Sequence, residues 1–362
     1  MRVALNTWFW DRPDTGSGQY TRRLVEHLEA VAPEIEVARL RPEGRRSAWA
    51  KLRFEQFGFP RASARRGADV AHVPYWGPPL RARAPIVVTV HDLIPLLLRP
   101  YRGGPLGRAY TALVATGAEN AALVLTDSQA SRRDIVAYLN VPPERVRAIP
   151  LAADARYRPE PGADDPAIRA RYQLPERYYL YLGGCDVRKN VITALRTFQW
   201  VGPALGDGCP LVVAGRLPAE DTAFAPDPRR QARELGLESE WVYFIDRVEE
   251  AEKPALYRGA AAFVFPSRYE GFGLPPLEAM ACGAPVVGSD AASLPEVVGD
   301  AGVLLPPDDA AGMAGALIQL AEDESFRSEL SRRALAQAAT FSWERTARET
   351  AAAYRQVAEQ DS

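Results

Sequence analysis

Lysine, histidine and cysteine are all scarce in this 362-residue chain. The three cysteines, Cys185, Cys209 and Cys282, are far apart and odd in number. That excludes a disulfide framework and a Cys-x-x-Cys metal site, and it fits a reducing compartment. No apolar run approaches the about 18–20 residues of a membrane-spanning helix. The opening "MRVALNTWFW" turns polar too soon for an export signal, so the expected location is cytoplasmic. No Asp-x-Asp pair occurs, so one common way of holding a divalent ion on a diphosphate is missing. There is no internal repeat and no low-complexity tract.

What is present is ordinary for a globular protein: 47% hydrophobic and 25% charged residues. The length exceeds one ordinary core, so two domains are expected. Only three of the 44 basic residues are lysine, namely Lys51, Lys189 and Lys253. Against that arginine background a lysine is informative. The net charge of −2 is unevenly spread: residues 1–170 carry +7 and residues 171–362 carry −9. A basic first half suggests an anionic partner there, either a phosphorylated or lipid-linked molecule or an anionic membrane face. A solvated arginine-rich surface explains the charge equally well.

Short β-branched or apolar runs alternate with helix-like segments, the pattern of parallel sheets covered by helices. The first half offers "RVALNTWF", "IEVARL", "DVAHVP", "PIVVTVHD" and "LVLTDS" as strands. The segment "SRRDIVAYLN" reads as a helix capped by Ser131. The stretch 158–176, rich in Pro, Gly and charge, reads as a linker. A second series follows: "YYLYLGG", "PLVVAG", "WVYFID", "AAFVFPS", "APVVGSD" and "GVLLPP". The expectation is an α/β protein of two Rossmann-like domains, residues 1–160 and 161–341. A last amphipathic helix, within 342–362, follows the second sheet.

One stretch concentrates chemistry: "SRYEGFGLPPLEAMACGAPVVGSD", residues 267–290. A buried strand runs into a loop, and Pro275 and Pro276 suit the first turn of a helix running to about Cys282. Gly271 and Gly273 free the backbone there. Backbone N–H groups and the helix dipole then make an anion site suited to a diphosphate. Glu270 and Glu278 flank it, and carboxylates beside a phosphate site make sense if they bind hydroxyl groups. Taken singly, each glutamate has a plainer explanation: Glu278 complements the helix dipole and Glu270 is a loop carboxylate.

The stretch "EGFGLPPLEAMACGAPVV" resembles the paired-glutamate signature of retaining glycosyltransferases of the GT-B fold, family four. The resemblance covers nearly the whole chain. It implies two Rossmann-like domains facing a central cleft. The N-terminal domain would bind the acceptor and the C-terminal domain a nucleotide diphosphate sugar, with the last helix crossing back to the N-terminal domain. It also implies that Glu270 binds donor-sugar hydroxyls and that the amides of Gly271, Phe272, Gly273 and Leu274 face the sugar and the distal phosphate. Glu278 would bind the ribose.

Other segments fit the same family. In "YLGGCDVRKNVITALRTF" the pair Arg188–Lys189 opens a helix, where positive charge opposes the dipole unless an anion binds. The resemblance assigns it to the diphosphate, with Gly184 in the preceding turn; the loop is about one residue shorter than usual. Gly16 and Gly18 match the family's first glycine turn. His91, at the end of "VVTVHD", matches a histidine that orients the donor sugar, so His91, Glu270 and Lys189 are the catalytic candidates. His72 is expected on the acceptor side, and His27 has no role. Arg247 and Val248 would lie near the base, although Asp246 stands where the family often has glycine. Ser128 and Arg132 match an element at the cleft floor. Trp8, Trp10, Tyr75 and Trp76 are candidates for stacking on sugar rings or for the core.

The reading is therefore a retaining, metal-independent transferase with no cofactor beyond its donor. No second carboxylate is evident as a nucleophile near His91, which favours front-face attack. The pattern "EQFGFP…GADVAHVPYW…VVTVHDLIP…RKN" looks like the subgroup of mannosyltransferases, pointing to GDP-mannose and a glycan or lipid-linked acceptor. Rival readings are a UDP-sugar donor, a sugar-nucleotide epimerase and a non-enzymatic sugar-binding protein.

Overall fold

The computed structural model describes every residue except 13–14, 43, 45–46, 238 and 361–362. The chain divides into two compact units, Met1–Leu151 with Ser342–Ser362, and Ala152–Phe341. The division falls between Leu151 and Ala152 rather than after residue 160. The expected linker at 158–176 lies inside the second unit and contains a helix, Asp165–Arg171. Its Asp165 pairs with Arg258 across the fold, Nη2 to Oδ1 2.5 Å, so the charge there makes structure.

The first unit holds strands β1 (Arg2–Asn6), β2 (Glu36–Leu40), β3 (Val70–Val73), β4 (Ile86–Thr89), β5 (Leu123–Thr126) and β6 (Val146–Ala148). They form one parallel sheet in the order β2-β1-β3-β4-β5-β6. Strand β6 is only three residues long, too short to leave a pattern in the sequence. β3, β4 and β5 are buried throughout, which explains their continuous apolar runs.

The helix Trp343–Gln360 belongs to this unit. Its Tyr354 hydroxyl lies 2.6 Å from His72 Nδ1, and Thr346 donates to the Pro150 carbonyl at 2.7 Å. Residues 361–362, assigned to the same segment, lie outside the described residues.

The second unit repeats the design with β7 (Tyr179–Leu182), β8 (Leu211–Ala214), β9 (Val242–Ile245), β10 (Ala262–Phe265), β11 (Val286–Ser289) and β12 (Gly302–Leu305). The order is β12-β11-β10-β7-β8-β9, again parallel. Helix Val191–Leu205 packs on this sheet through Leu195, Phe198 and Val201. In each sheet the chain reverses its winding beside the first strand, and the crevice at the carboxyl ends of the strands at that point is where such sheets bind ligands. In the second sheet that point lies between β7 and β10, whose following loops carry Gly183–Asn190 and Pro266–Gly273.

Candidate active site

Two loops at the carboxyl edge of the second sheet are tied together by charge. Lys189 Nζ lies 2.7 Å from Glu270 Oε1, and Arg188 Nη1 lies 2.8 Å from Oε2. Ser267 donates to Oε1 at 2.6 Å. Glu270 is only 8% exposed. Burial alone would favour its neutral acid, but the ammonium and guanidinium beside it outweigh that and hold its carboxyl below the usual range. Arg188 also donates to the Tyr269 carbonyl at 2.9 Å. Lys189 and Arg188 thus each pair with one oxygen of the same carboxylate.

The backbone supports this pairing. Asn190 sits in the left-handed region, φ 56°. Its buried amide donates to the carbonyls of Pro266 at 3.0 Å and Pro307 at 2.7 Å. Beyond Glu270 the helix is Leu274–Ala281 with Gly273 as N-cap, one residue earlier than expected. Glu278 therefore falls just past the first turn. Gly273 has φ 120°, and a Cβ there would meet Leu294 Cδ2 at 2.9 Å, so only glycine fits. No side chain caps this helix, and Pro275 and Pro276 carry no N–H, so Leu274 alone of its first three residues offers a backbone donor. Ser293 holds the turn from behind by donating to the carbonyls of Glu270 and Phe272.

Glu278 lies in a second cluster. It accepts from Tyr257 at 3.2 Å. Tyr157 donates to Glu250 at 3.3 Å, and Lys253 Nζ lies 2.6 and 2.7 Å from the two Glu250 oxygens. Burial raises the Glu278 carboxyl to about 7; Lys253 opposes that shift and Glu250 adds to it. Tyr157, Tyr257 and Glu250 carry no signal along the chain that marks them for this cluster, and Lys253 carries only the rarity of lysine. Val248 is buried, while Arg247 points outward with its side chain 67% exposed. Gly184 accepts from Tyr181 at 2.6 Å through its carbonyl.

In the first unit, His91 Nδ1 lies 2.7 Å from Asp127 Oδ2. A carboxylate only accepts, so Nδ1 carries the proton. Nε2 is buried beside the Pro74 carbonyl and completes no well-formed hydrogen bond. Desolvation lowers the His91 pKa, but Asp127 overrides it and the net shift is upward. Asp127 thus stands beside His91 with one oxygen committed to the imidazole, a partner that spacing along the chain does not reveal.

His72, expected on the acceptor side, lies in the core of the first unit. It is fully buried between Tyr354 and Thr89, and burial drives its pKa to about 3, so it is a neutral part of the core. Arg132 spends its guanidinium on the carbonyls of Val146 and Pro143. Ser128, not Ser131, caps the helix Gln129–Tyr138, and Ser131 donates instead to the His91 carbonyl at 3.1 Å. Gly16 opens the first helix, with Thr15 as its cap. At Gly18 a Cβ would sit 2.0 Å from the Arg12 carbonyl oxygen, so packing alone demands glycine there. Trp8 and Tyr75 are buried, and Trp10 and Trp76 are half-buried.

Known proteins resemble this chain in architecture and in sequence. The family described as "Glycosyl transferases group 1" matches residues 176–323, and "Glycosyltransferase Family 4" matches residues 15–157. The O-antigen chain mannosyltransferase B of Escherichia coli is 34% identical over 98% of this chain and 100% of its own. The serotype-specific mannosyltransferase WbdA of the same organism is 33% identical over 72% of this chain, which corresponds to 32% of WbdA. Among solved structures, the sucrose-phosphate synthase of Thermosynechococcus elongatus superposes with a TM-score of 0.76 at 22% identity, covering 99% of both chains. The fold and the matches define a glycosyltransferase of the GT-B class. Within that class, the chain belongs to glycosyltransferase family 4.

Proposed function

We propose that the protein transfers mannose from GDP-mannose to a glycan or lipid-linked acceptor, retaining the anomeric configuration and using no metal. The observation that carries this reading is the Glu270 carboxylate, kept ionised by Lys189 and Arg188 beside an uncapped helix start. A diphosphate entering there takes over the two cations, and Glu270 is released to accept bonds from sugar hydroxyls. As the glycosidic bond breaks, negative charge grows on the departing phosphate, and Lys189, Arg188 and the N–H groups of Gly271 to Leu274 stabilise it. Gly184 leaves room at the turn. Glu278 accepts from the ribose, with Arg247 and Val248 beside the base and Gly16 and Gly18 at the first loop. His91, oriented by Asp127, directs Nε2 at the donor sugar. The acceptor attacks from the leaving-group side, and the departing phosphate takes its proton.

The choice of mannose rests on the relatives, two of which are named mannosyltransferases. Peripheral membrane contact fits a lipid-linked acceptor. Trp49 and Leu106 are 75% and 80% exposed on helices that also carry Arg53 and Arg108. No described helix is long and apolar enough to cross a membrane. The test is a thermal-shift panel of nucleotide sugars, followed by NMR of the product with chelator present. GDP-mannose should stabilise the protein with the logarithm of its concentration over Kd, and the product should be an α-linkage. A shift with UDP-glucose alone would overturn the donor, and loss of turnover in chelator would overturn metal independence.

A further inference from the structure

The segment "EQFGFP" finds no use in the donor site, yet it builds the most unusual feature of the first unit. The helix Ala48–Arg53 runs into a π-helical turn, Phe54–Gly58. Such turns widen the helix and cluster at functional sites. This one carries Glu55, whose side chain is 0% exposed. Lys51 Nζ lies 2.6 Å from Glu55 Oε1, and the Tyr110 hydroxyl donates to both carboxylate oxygens at 3.2 and 3.0 Å. The ammonium also sits 4.7 Å from the Tyr110 ring centre, 5.0 Å from that of Tyr75 and 5.9 Å from that of Phe9. A Cβ on Gly77 would meet Glu55 Oε1 at 2.5 Å, so the loop after β3 is shaped around this carboxylate.

The cluster lies at the carboxyl ends of β1 and β3, where the first sheet reverses its winding. Asn6 is the last residue of β1, and Tyr75 and Trp76 follow β3. Three polar atoms here are buried without a hydrogen-bond partner: Asn6 Nδ2, Tyr75 Oη and Trp76 Nε1. The Tyr75 hydroxyl lies beside Glu55 and Asn6 but completes no well-formed bond to either. Tyr75 is 4% exposed and Asn6 0%. A buried ion pair is a poor source of stability, and orphaned buried donors cost free energy. Together these features suit ligand binding better than core packing.

Resting on the transferase reading, we infer that Asn6, Lys51, Tyr75 and Trp76, set on Glu55, form the subsite that binds the terminal sugar of the acceptor, an uncharged pyranose with adjacent free hydroxyls. The chemistry selects that class. Lys51 and Glu55 cancel in charge, so an anion meets the carboxylate and a cation meets the ammonium. A neutral polyol can accept from Lys51, Asn6 and Trp76 and donate to Tyr75, while Phe9 and Trp76 cover an apolar sugar face.

The test uses the full chain with octyl α-D-mannopyranoside as acceptor and GDP-mannose as donor. Tyr75→Phe removes only the orphaned hydroxyl and keeps the packing; Lys51→Met removes the ammonium. Acceptor KM should rise about fivefold in Tyr75→Phe and more in Lys51→Met, while the Kd for GDP-mannose stays as in the parent protein. An unchanged acceptor KM in folded Tyr75→Phe would overturn the subsite. If the parent protein turns over no GDP-mannose, the transferase reading fails separately. Saturation-transfer NMR of octyl mannoside alone then decides the subsite: signal weakened by Tyr75→Phe supports it, and signal absent from the parent or unchanged in the variant refutes it.

Discussion

Glu270 and Glu278 carry the same side chain eight positions apart, and their surroundings drive them in opposite directions. Glu270 is kept charged by two cations. Replacing Lys189 by Ala leaves that buried carboxylate half-paired, and the expected loss of stability is about 3 kcal/mol. Chemical denaturation measures it, and in the same variant the thermal shift with GDP-mannose should vanish. Glu278 behaves otherwise because burial raises it to about 7. Unfolded, it releases its proton near 4.5, so between about pH 4.5 and 7 the folded state holds the extra proton. Stability contributed by this group therefore falls as pH rises through that window, by about 3 kcal/mol in full. Glu278→Gln cannot ionise. Its melting temperature relative to the parent should rise from pH 5 to pH 8; a difference that stays flat with pH would contradict the assignment.

At the scale of elements, the turn before helix Leu274–Ala281 is the part most exposed to substitution. Gly273→Ala meets both a disfavoured φ and the Leu294 side chain, and a cost of about 2–3 kcal/mol is expected in urea unfolding. This element was legible because its signals are local: glycines, a proline pair and a carboxylate spacing lie within one stretch. All six strands of the second sheet were legible for the same reason, as continuous apolar runs. The partners of the site were not. Glu278 meets Tyr257 from another helix and lies in one cluster with Tyr157 and Glu250, while Asp127 reaches His91 from the neighbouring strand end. Those pairings depend on how strands are ordered in the sheet, and spacing along the chain carries no record of it. Two serines three residues apart offer equally good capping hydroxyls, and the structure uses Ser128, which accepts from the Ser131 N–H.

For the whole molecule, the helix Trp343–Gln360 ties the two ends of the sequence into one unit. Its Tyr354 is fully buried and is the partner of His72 Nδ1. Tyr354→Phe leaves that ring nitrogen without a partner, at a cost of about 1–2 kcal/mol. In calorimetry the loss should fall on the transition of the first unit, and the second unit should melt as before; a uniform downward shift of both would show that they unfold together.

The return of residues 342–360 to the first unit also sets an order of events during synthesis. Every residue of the second unit is polymerised before the helix that covers His72 and Tyr20 exists. The first sheet, though made earliest, must wait with that face open until the segment after Phe341 leaves the ribosome. The second unit, with its sequence continuous, can close first. In a growing chain the later half is thus the first to be complete, and the earlier half is the one that needs protection from aggregation.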